Sequence, residues 1–165
     1  MQLRLEQIFN IEGERQELSF SFSPEPDLAD DMIMLSPVSF EGEVKNTAGM
    51  VTLEGKASFR AGFVCARCAE SFERSFTVEI SHRLVTRLEN EENDDFIVAE
   101  NCELDLEQLV LEDIVLSLPV RFLCREDCLG LCAKCGKNLN EGPCGCKKEV
   151  DPRLAALLTL LDDGE

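Results

Sequence analysis

Residues 38–65 read VSFEGEVKNTAGMVTLEGKASFRAGFVC, and the order of apolar and polar residues within them decides the fold. Val38, Phe40 and Val44 mostly alternate with polar residues up to Asn46-Thr47-Ala48-Gly49. Val51 and Leu53 then open a second run that passes through Gly55 to Ala57, Phe59, Ala61, Phe63 and Cys65. Period two is the spacing of a strand with one buried face, because successive side chains point to opposite sides. The Asn46-to-Gly49 tetrapeptide between the runs suits a hairpin turn. The same alternation recurs outward, as Leu18, Phe20 and Phe22 upstream and Phe76, Val78 and Ile80 downstream, with Ser23-Pro24-Glu25-Pro26-Asp27 as a loop. The pattern predicts an antiparallel β-meander or half barrel.

Beyond the strands the period changes. Leu106, Leu109, Val110, Ile114 and Leu118 recur at helical spacing, behind Asp105 as N-cap with Gln108 completing a capping box, and Pro119 ends the run. A second, short helix is expected at the C-terminal end, capped by Asp151 with Pro152 at its first position and Leu154, Leu157, Leu158 and Leu161 on one stripe. The expected class is α+β. Residues 1–123 form the β domain with its packed helix near 105–118, residues 124–150 a Cys-rich segment, and residues 151–165 the terminal helix and tail.

Composition narrows the function. Thirty-three acidic residues against sixteen basic ones give a net charge of −17 over 165 residues. Such a chain is poorly suited to general nucleic-acid binding, which draws its affinity from Lys and Arg displacing counterions. A hydrophobic fraction of 44% with ten Phe and no Trp or Tyr supports a packed core whose aromatic contacts are all Phe. The apolar runs are too short to span a membrane, and the opening Met1-Gln2-Leu3-Arg4-Leu5-Glu6 lacks the basic stretch and apolar run of a signal peptide. A cytoplasmic location is the expectation, with no membrane partner.

A reducing compartment turns nine cysteines toward metal rather than disulfides. Eight fall as close pairs: Cys65/Cys68, Cys124/Cys128, Cys132/Cys135 and Cys144/Cys146. A Cys-x2-Cys turn lets two thiolates reach one tetrahedral ion. Cys132 to Gly136 is the better such turn, because the glycine permits a positive φ. Cys144 and Cys146 are near enough to complete a four-thiolate site with it. Cys65, Cys68, Cys124 and Cys128 would then share a second. The first assignment is the expectation; the sequence does not exclude the competing one, Cys65/Cys68 with Cys132/Cys135 and Cys124/Cys128 with Cys144/Cys146. Either way two structural zinc ions are expected, each worth on the order of 10 kcal/mol of folding free energy. Four thiolates leave no open position for a catalytic water, and no nucleophile–base set is visible, so no enzyme is expected. Cys102 reads as a small buried hydrophobe, and His82 as a surface or core residue rather than a base.

The positive charge is local. Residues 119–150 carry six basic and four acidic residues, a net +2, whereas residues 1–118 carry −16 and residues 151–165 carry −3. Arg125, Lys134, Lys137, Lys147 and Lys148 could contact RNA phosphates or simply neutralise the sulfurs. Glu91, Glu92, Asp94 and Asp95, in an acidic run that also contains Glu89, read as a solvated loop or as a clamp for a basic protein.

Taken together, Cys65-Ala66-Arg67-Cys68, Leu118-Pro119, the segment from Cys124 through Cys128, Cys132, Cys135-Gly136, Asn138-Leu139-Asn140, Cys144-Gly145-Cys146 and Asp151-Pro152-Arg153 give a resemblance. The chain resembles the YceD family, the large ribosomal RNA subunit accumulation proteins of bacteria and plastids. The resemblance implies a non-enzymatic protein needed for normal levels of large-subunit (23S) ribosomal RNA, often encoded beside a small basic ribosomal protein. Combined with the charge, it points to a basic ribosomal protein or assembly factor as direct ligand. Direct rRNA binding through the cysteine segment is the alternative. A redox-switched zinc chaperone is a third reading.

Overall fold

The computed structural model describes residues 1–24, 32–87 and 96–146. Its elements are β1 (Gln2–Arg4), α1 (Glu6–Asn10), β2 (Arg15–Phe22), β3 (Met32–Met34), β4 (Val38–Thr47), β5 (Met50–Val64), β6 (Ser71–Val85), β7 (Phe96–Val98), β8 (Glu103–Asp105) and α2 (Leu106–Ser117), with 3-10 turns at Glu100–Cys102 and Leu139–Glu141. The protein is mostly β: a curled, half-barrel sheet in the order β2-β4-β5-β6-β7, a two-stranded β1-β8 ribbon, and one main helix. Among the described residues no helix is long and apolar enough to cross a membrane.

The alternation found in the sequence sets the inner face. Val38, Phe40, Val44, Val51, Leu53, Ala57, Phe59, Ala61 and Phe63 are all buried. Register brings Phe20 opposite Phe40, Phe59 opposite Phe76 and Phe63 opposite Phe72, with ring centroids 5.3 to 5.6 Å apart. Gly42 and Gly55 face each other across β4 and β5, and the Phe40 ring fills the space their side chains would take. Ala48 and Gly49 form the two-residue β4–β5 turn, both at positive φ (53° and 85°), as a hairpin with right-handed twist requires. Asn46 is the buried polar residue of the core among those described. Its Oδ1 accepts from the Gly49 N–H (3.0 Å) and its Nδ2 donates to the Ile8 carbonyl (2.7 Å), fastening the turn to α1.

β5 is longer than β4 and continues past it to pair with β3 at Ala61 to Phe63. β3 and β4 thus lie end to end along β5, interrupted at Pro37, which has no N–H for the ladder. Ser36 Oγ accepts the Arg60 N–H (3.0 Å) inside that gap.

Three sequence expectations need correction. The sheet is not wholly antiparallel, because β7, which the period-two reading did not include, joins β6 in parallel. Asp105 does cap α2, accepting from the Glu107 and Gln108 N–H groups (3.2 and 3.3 Å). The Gln108 side chain, however, donates forward to Glu112 (2.9 Å), so the capping box is not closed. Cys102 is half-buried at φ 60° rather than sunk in the core. The α2 stripe is placed as expected, with Leu106, Leu109, Val110 and Ile114 buried and Leu118 half-buried. The acidic run Glu89, Glu91, Glu92, Asp94 and Asp95, Lys147 and Lys148, and the helix expected from Asp151 lie outside the described residues.

Candidate metal centre

Two tight turns carry the cysteine pairs, and their backbones match. In the β5–β6 hairpin, Cys65 N–H donates to the Glu70 carbonyl and Ala69 N–H to the Cys65 carbonyl, both at 2.9 Å. In the C-terminal segment, Cys132 N–H donates to the Lys137 carbonyl (2.8 Å) and Gly136 N–H to the Cys132 carbonyl (2.9 Å). The residue after the second cysteine is at positive φ in each, Ala69 at 58° and Gly136 at 70°. In each, the amides of the next residues also point at the first sulfur: those of Arg67 and Cys68 at Cys65, and those of Lys134 and Cys135 at Cys132.

The structure gathers Cys65, Cys68, Cys124 and Cys128 into one group and Cys132, Cys135, Cys144 and Cys146 into another, the sulfurs of each within 4.8 Å of one another. It does not bring together the competing set. Cys65 Sγ lies 3.8 Å from Cys128 Sγ, and Cys68 Sγ 3.7 Å from Cys124 Sγ. Disulfides would need about 2.05 Å. A tetrahedral ion with metal–sulfur bonds of about 2.3 Å places its ligands about 3.8 Å apart. All nine cysteines are free, and both groups fit a metal ion that accepts four sulfur ligands.

Electrostatics within the groups points the same way. Burial pushes the Cys65 thiol up, but the N–H groups of Cys124, Cys68 and Arg67 overcome it and bring it to about 6. The Cys135 and Lys134 N–H groups bring Cys132 to about 6. At Cys68 the Glu70 N–H favours the thiolate, yet burial and the neighbouring thiols push it up to about 12. Cys146, facing Cys135 and partly desolvated, is also pushed up to about 12. Four adjacent thiols cannot all ionise against one another, and a bound cation removes that conflict.

The first group is built across the chain. Residues 122–131 lie against the hairpin: Phe122 stacks on Phe63 at 4.1 Å, its carbonyl accepts the Ala66 N–H (2.9 Å), and Arg74 donates to the Leu123 carbonyl (3.0 Å). Two residues to which the sequence reading gave no role, though both lie in the motifs quoted above, close the joint. Arg67 Nη1 donates to the carbonyls of Glu126 (3.1 Å) and Cys128 (2.9 Å). Asn140 Nδ2 donates to Cys128 Sγ (3.3 Å) while its Oδ1 accepts the Leu129 N–H (2.8 Å). Gly130, at φ 75°, passes so close that a Cβ would stand 2.9 Å from the Arg67 carbonyl oxygen.

Of the candidate RNA-contacting residues, Arg125 pairs with Asp127 (3.5 Å), Lys137 donates to the Pro143 carbonyl (3.3 Å), and Lys134 lies in the second turn. His82 has an acid partner that sequence reading missed: its Nε2 is 2.7 Å from Asp113 Oδ2, linking β6 to α2. A larger omission is the outer sheet face. Glu17, Glu43 and Glu54 stand side by side across β2, β4 and β5, and Glu41 and Glu79 flank Lys56 one row away. They line a shallow open groove of about 680 Å³. Lys45 reaches over to Glu54 (2.7 Å) and Glu43 (3.4 Å), and Lys56 to Glu79 (3.0 Å). Like charges directly opposite in a sheet work against stability, and Lys45 and Lys56 offset part of that repulsion. The signal was in the half of the alternation that faces water.

The comparisons with known proteins agree with one another. The family model described as "Large ribosomal RNA subunit accumulation protein YceD" matches residues 53–161, which include all eight paired cysteines. A Bacillus subtilis protein, "Uncharacterized protein YlbN", is 28% identical over 139 residues, 81% of this chain and 80% of its own. An uncharacterized Mycobacterium leprae protein is 27% identical over 131 residues, and one from Mycobacterium bovis 32% over 101 residues. Those matches span 76% and 59% of this chain but only 60% and 49% of the mycobacterial proteins. No solved structure matches. With the family model covering well over half its length, the chain belongs to the YceD family.

Proposed function

We propose that this protein is a non-enzymatic, cytoplasmic factor of large-subunit ribosome biogenesis that supports 23S rRNA accumulation by holding a basic ribosomal protein or assembly factor. Two structural zinc ions brace it. Membership in a family described by rRNA accumulation supports the pathway. The observation that carries the partner class is the outer face, where Glu17, Glu41, Glu43, Glu54 and Glu79 share one groove. Opposite charge steers a basic polypeptide to such a surface, and like charge repels bare phosphate from it.

Zinc is the metal assigned because a closed set of four thiolates suits it and supplies folding free energy, not a reactive water. In this role Cys65, Cys68, Cys124 and Cys128 tie residues 122–131 to the hairpin, and Cys132, Cys135, Cys144 and Cys146 shape residues 132–146.

The rival reading is direct rRNA contact through Arg125, Lys134 and Lys137, with Lys147 and Lys148. Affinity capture of the tagged protein from lysate, split into nuclease-treated and untreated halves, separates the two. Basic ribosomal proteins or assembly factors should remain bound after nuclease and be lost when Glu17, Glu43 and Glu54 are changed to Lys. Loss of every partner with the RNA would overturn the protein-contact reading in favour of the basic segment.

A further inference from the structure

The two cysteine groups differ in access. Cys65, Cys68 and Cys128 are 2%, 4% and 3% exposed and packed with Phe72 and Leu123, and Cys124, half-buried, lies against them; none of the four is fully exposed. In the second group Cys135 and Cys146 are exposed, and all four ligands come from one fifteen-residue stretch. Gly136, Gly142 and Gly145 punctuate that stretch with nothing within 4 Å of where a side chain would stand, so its backbone has room to adjust. Oxidation of a thiolate requires that a peroxide reach it, and burial protects sulfur that is otherwise reactive.

We propose that the second group is an oxidation site for peroxides, at which Cys135 and Cys146 join as a disulfide while Cys65, Cys68, Cys124 and Cys128 stay reduced. The inference rests on the reading that both groups hold zinc. One thiolate attacks a peroxide oxygen and the O–O bond breaks. A sulfenic acid forms, and for hydrogen peroxide the departing hydroxide takes a proton to become water. The partner thiolate attacks the sulfenic sulfur and displaces a second hydroxide, which is also protonated. In total, two thiolates, one hydrogen peroxide and two protons give one disulfide and two waters, with two electrons passing from sulfur to oxygen. A neutral peroxide is not repelled by the acidic chain. The second group thereby loses two of its four metal donors, and residues 132–146, with Lys134 and Lys137, are freed to rearrange. The sheet and the first group are untouched.

The test uses the full chain as purified with its metal. Metal content is measured first, and hydrogen peroxide is then titrated in while released zinc is read with a chromogenic chelator and the thiols are mapped by differential alkylation and mass spectrometry. The expected result is loss of one of two zinc ions, a Cys135–Cys146 disulfide, four reduced thiols in the first group and an unchanged far-UV circular dichroism spectrum. Simultaneous loss of both ions, oxidation of the first group at the same dose, or no thiol change would overturn the proposal. A chain that carries no zinc before treatment would sink the zinc reading separately, and the order of thiol modification would still decide this one. In a Cys135→Ser, Cys146→Ser double variant, which lacks the second site's metal, the same dose should leave the remaining zinc bound and the four thiols of the first group reduced, and zinc release from it would overturn the proposal. If it does not fold, the thiol map of the unsubstituted chain decides alone.

Discussion

The turn at Cys65 to Ala69 and the turn at Cys132 to Gly136 are nearly the same piece of backbone in two different settings. Each closes the same pair of main-chain hydrogen bonds and puts a positive φ after its second cysteine. One sits at the tip of a long hairpin and receives its other two sulfurs from a segment 56 positions beyond Cys68, beneath apolar cover. The other finds its remaining sulfurs within eleven residues and leaves two exposed. The turn is therefore a local device, and what differs is the length of chain that a metal there would close. A site joining distant segments braces the fold, whereas a site closing on itself shapes only its own loop.

The strongest way to break this comparison is to remove one ligand from each site. Cys65→Ser should abolish the first site and lower the melting temperature markedly, by a loss of several kcal/mol, with residues 122–131 released from the hairpin while the sheet core still folds. Cys135→Ser should leave the melting of the sheet close to that of the parent chain and reduce only zinc content. Equal damage from both would end the distinction.

A change at the opposite end of the sheet sharpens it. Asn46→Ala strips partners from the Ile8 carbonyl and the Gly49 N–H and should cost about 2 kcal/mol of stability in denaturant unfolding, with metal stoichiometry unchanged. Exchanging the residues after the second cysteines comes next. Gly136→Ala puts a side chain at positive φ and should weaken the second site by about 1 kcal/mol in a zinc competition titration. Ala69→Gly relieves the equivalent strain and should raise the melting temperature slightly, by less than about 1 kcal/mol of stability because the unfolded chain also gains freedom.

The smallest expected effect is at Asp105, remote from both sites. The Gln108 N–H, the Met1 ammonium at 3.4 Å and the Glu107 N–H together hold its carboxyl below the ordinary carboxylate range. A carboxyl depressed in the folded state contributes stability that is fully present above its unfolded pKa near 3.9 and is lost as pH falls through the folded value. Asp105→Asn should therefore melt slightly lower than the parent at neutral pH, with the gap closing below about pH 4 in a series of thermal melts.

What the sequence made legible follows the range of the interaction. The period-two runs, the Asn46–Gly49 turn and the Asp105 cap are set by near neighbours, and each is found where the residues placed it. The parallel pairing of β7 with β6 and the His82–Asp113 contact depend on which segments meet, which periodicity does not encode. The grouping of four cysteine pairs was ambiguous for the same reason. What selects it here is Phe122 on Phe63 and Arg67 on the 126–128 carbonyls, neither of which spacing reports. Ala69 shows the limit of residue preference. Glycine marked one turn, yet an alanine adopts the same φ when the surrounding hydrogen bonds demand it. The acidic groove was readable in principle, since Glu41, Glu43, Glu54 and Glu79 occupy the water-facing positions of strands whose other positions had been read for the core.

The central claim is that the first cysteine group, once metallated, is what fastens residues 122–131 to the β5–β6 hairpin. Amide hydrogen exchange of the full chain, with its metal and after removal by a strong chelator, tests it most directly. The account predicts that metal removal raises exchange at Cys65, Ala66 and Ala69 together with Cys128 and Leu131, while Phe40 to Val44 and Val51 to Ala57 stay protected. Unchanged protection at the hairpin tip after the metal has gone would contradict it.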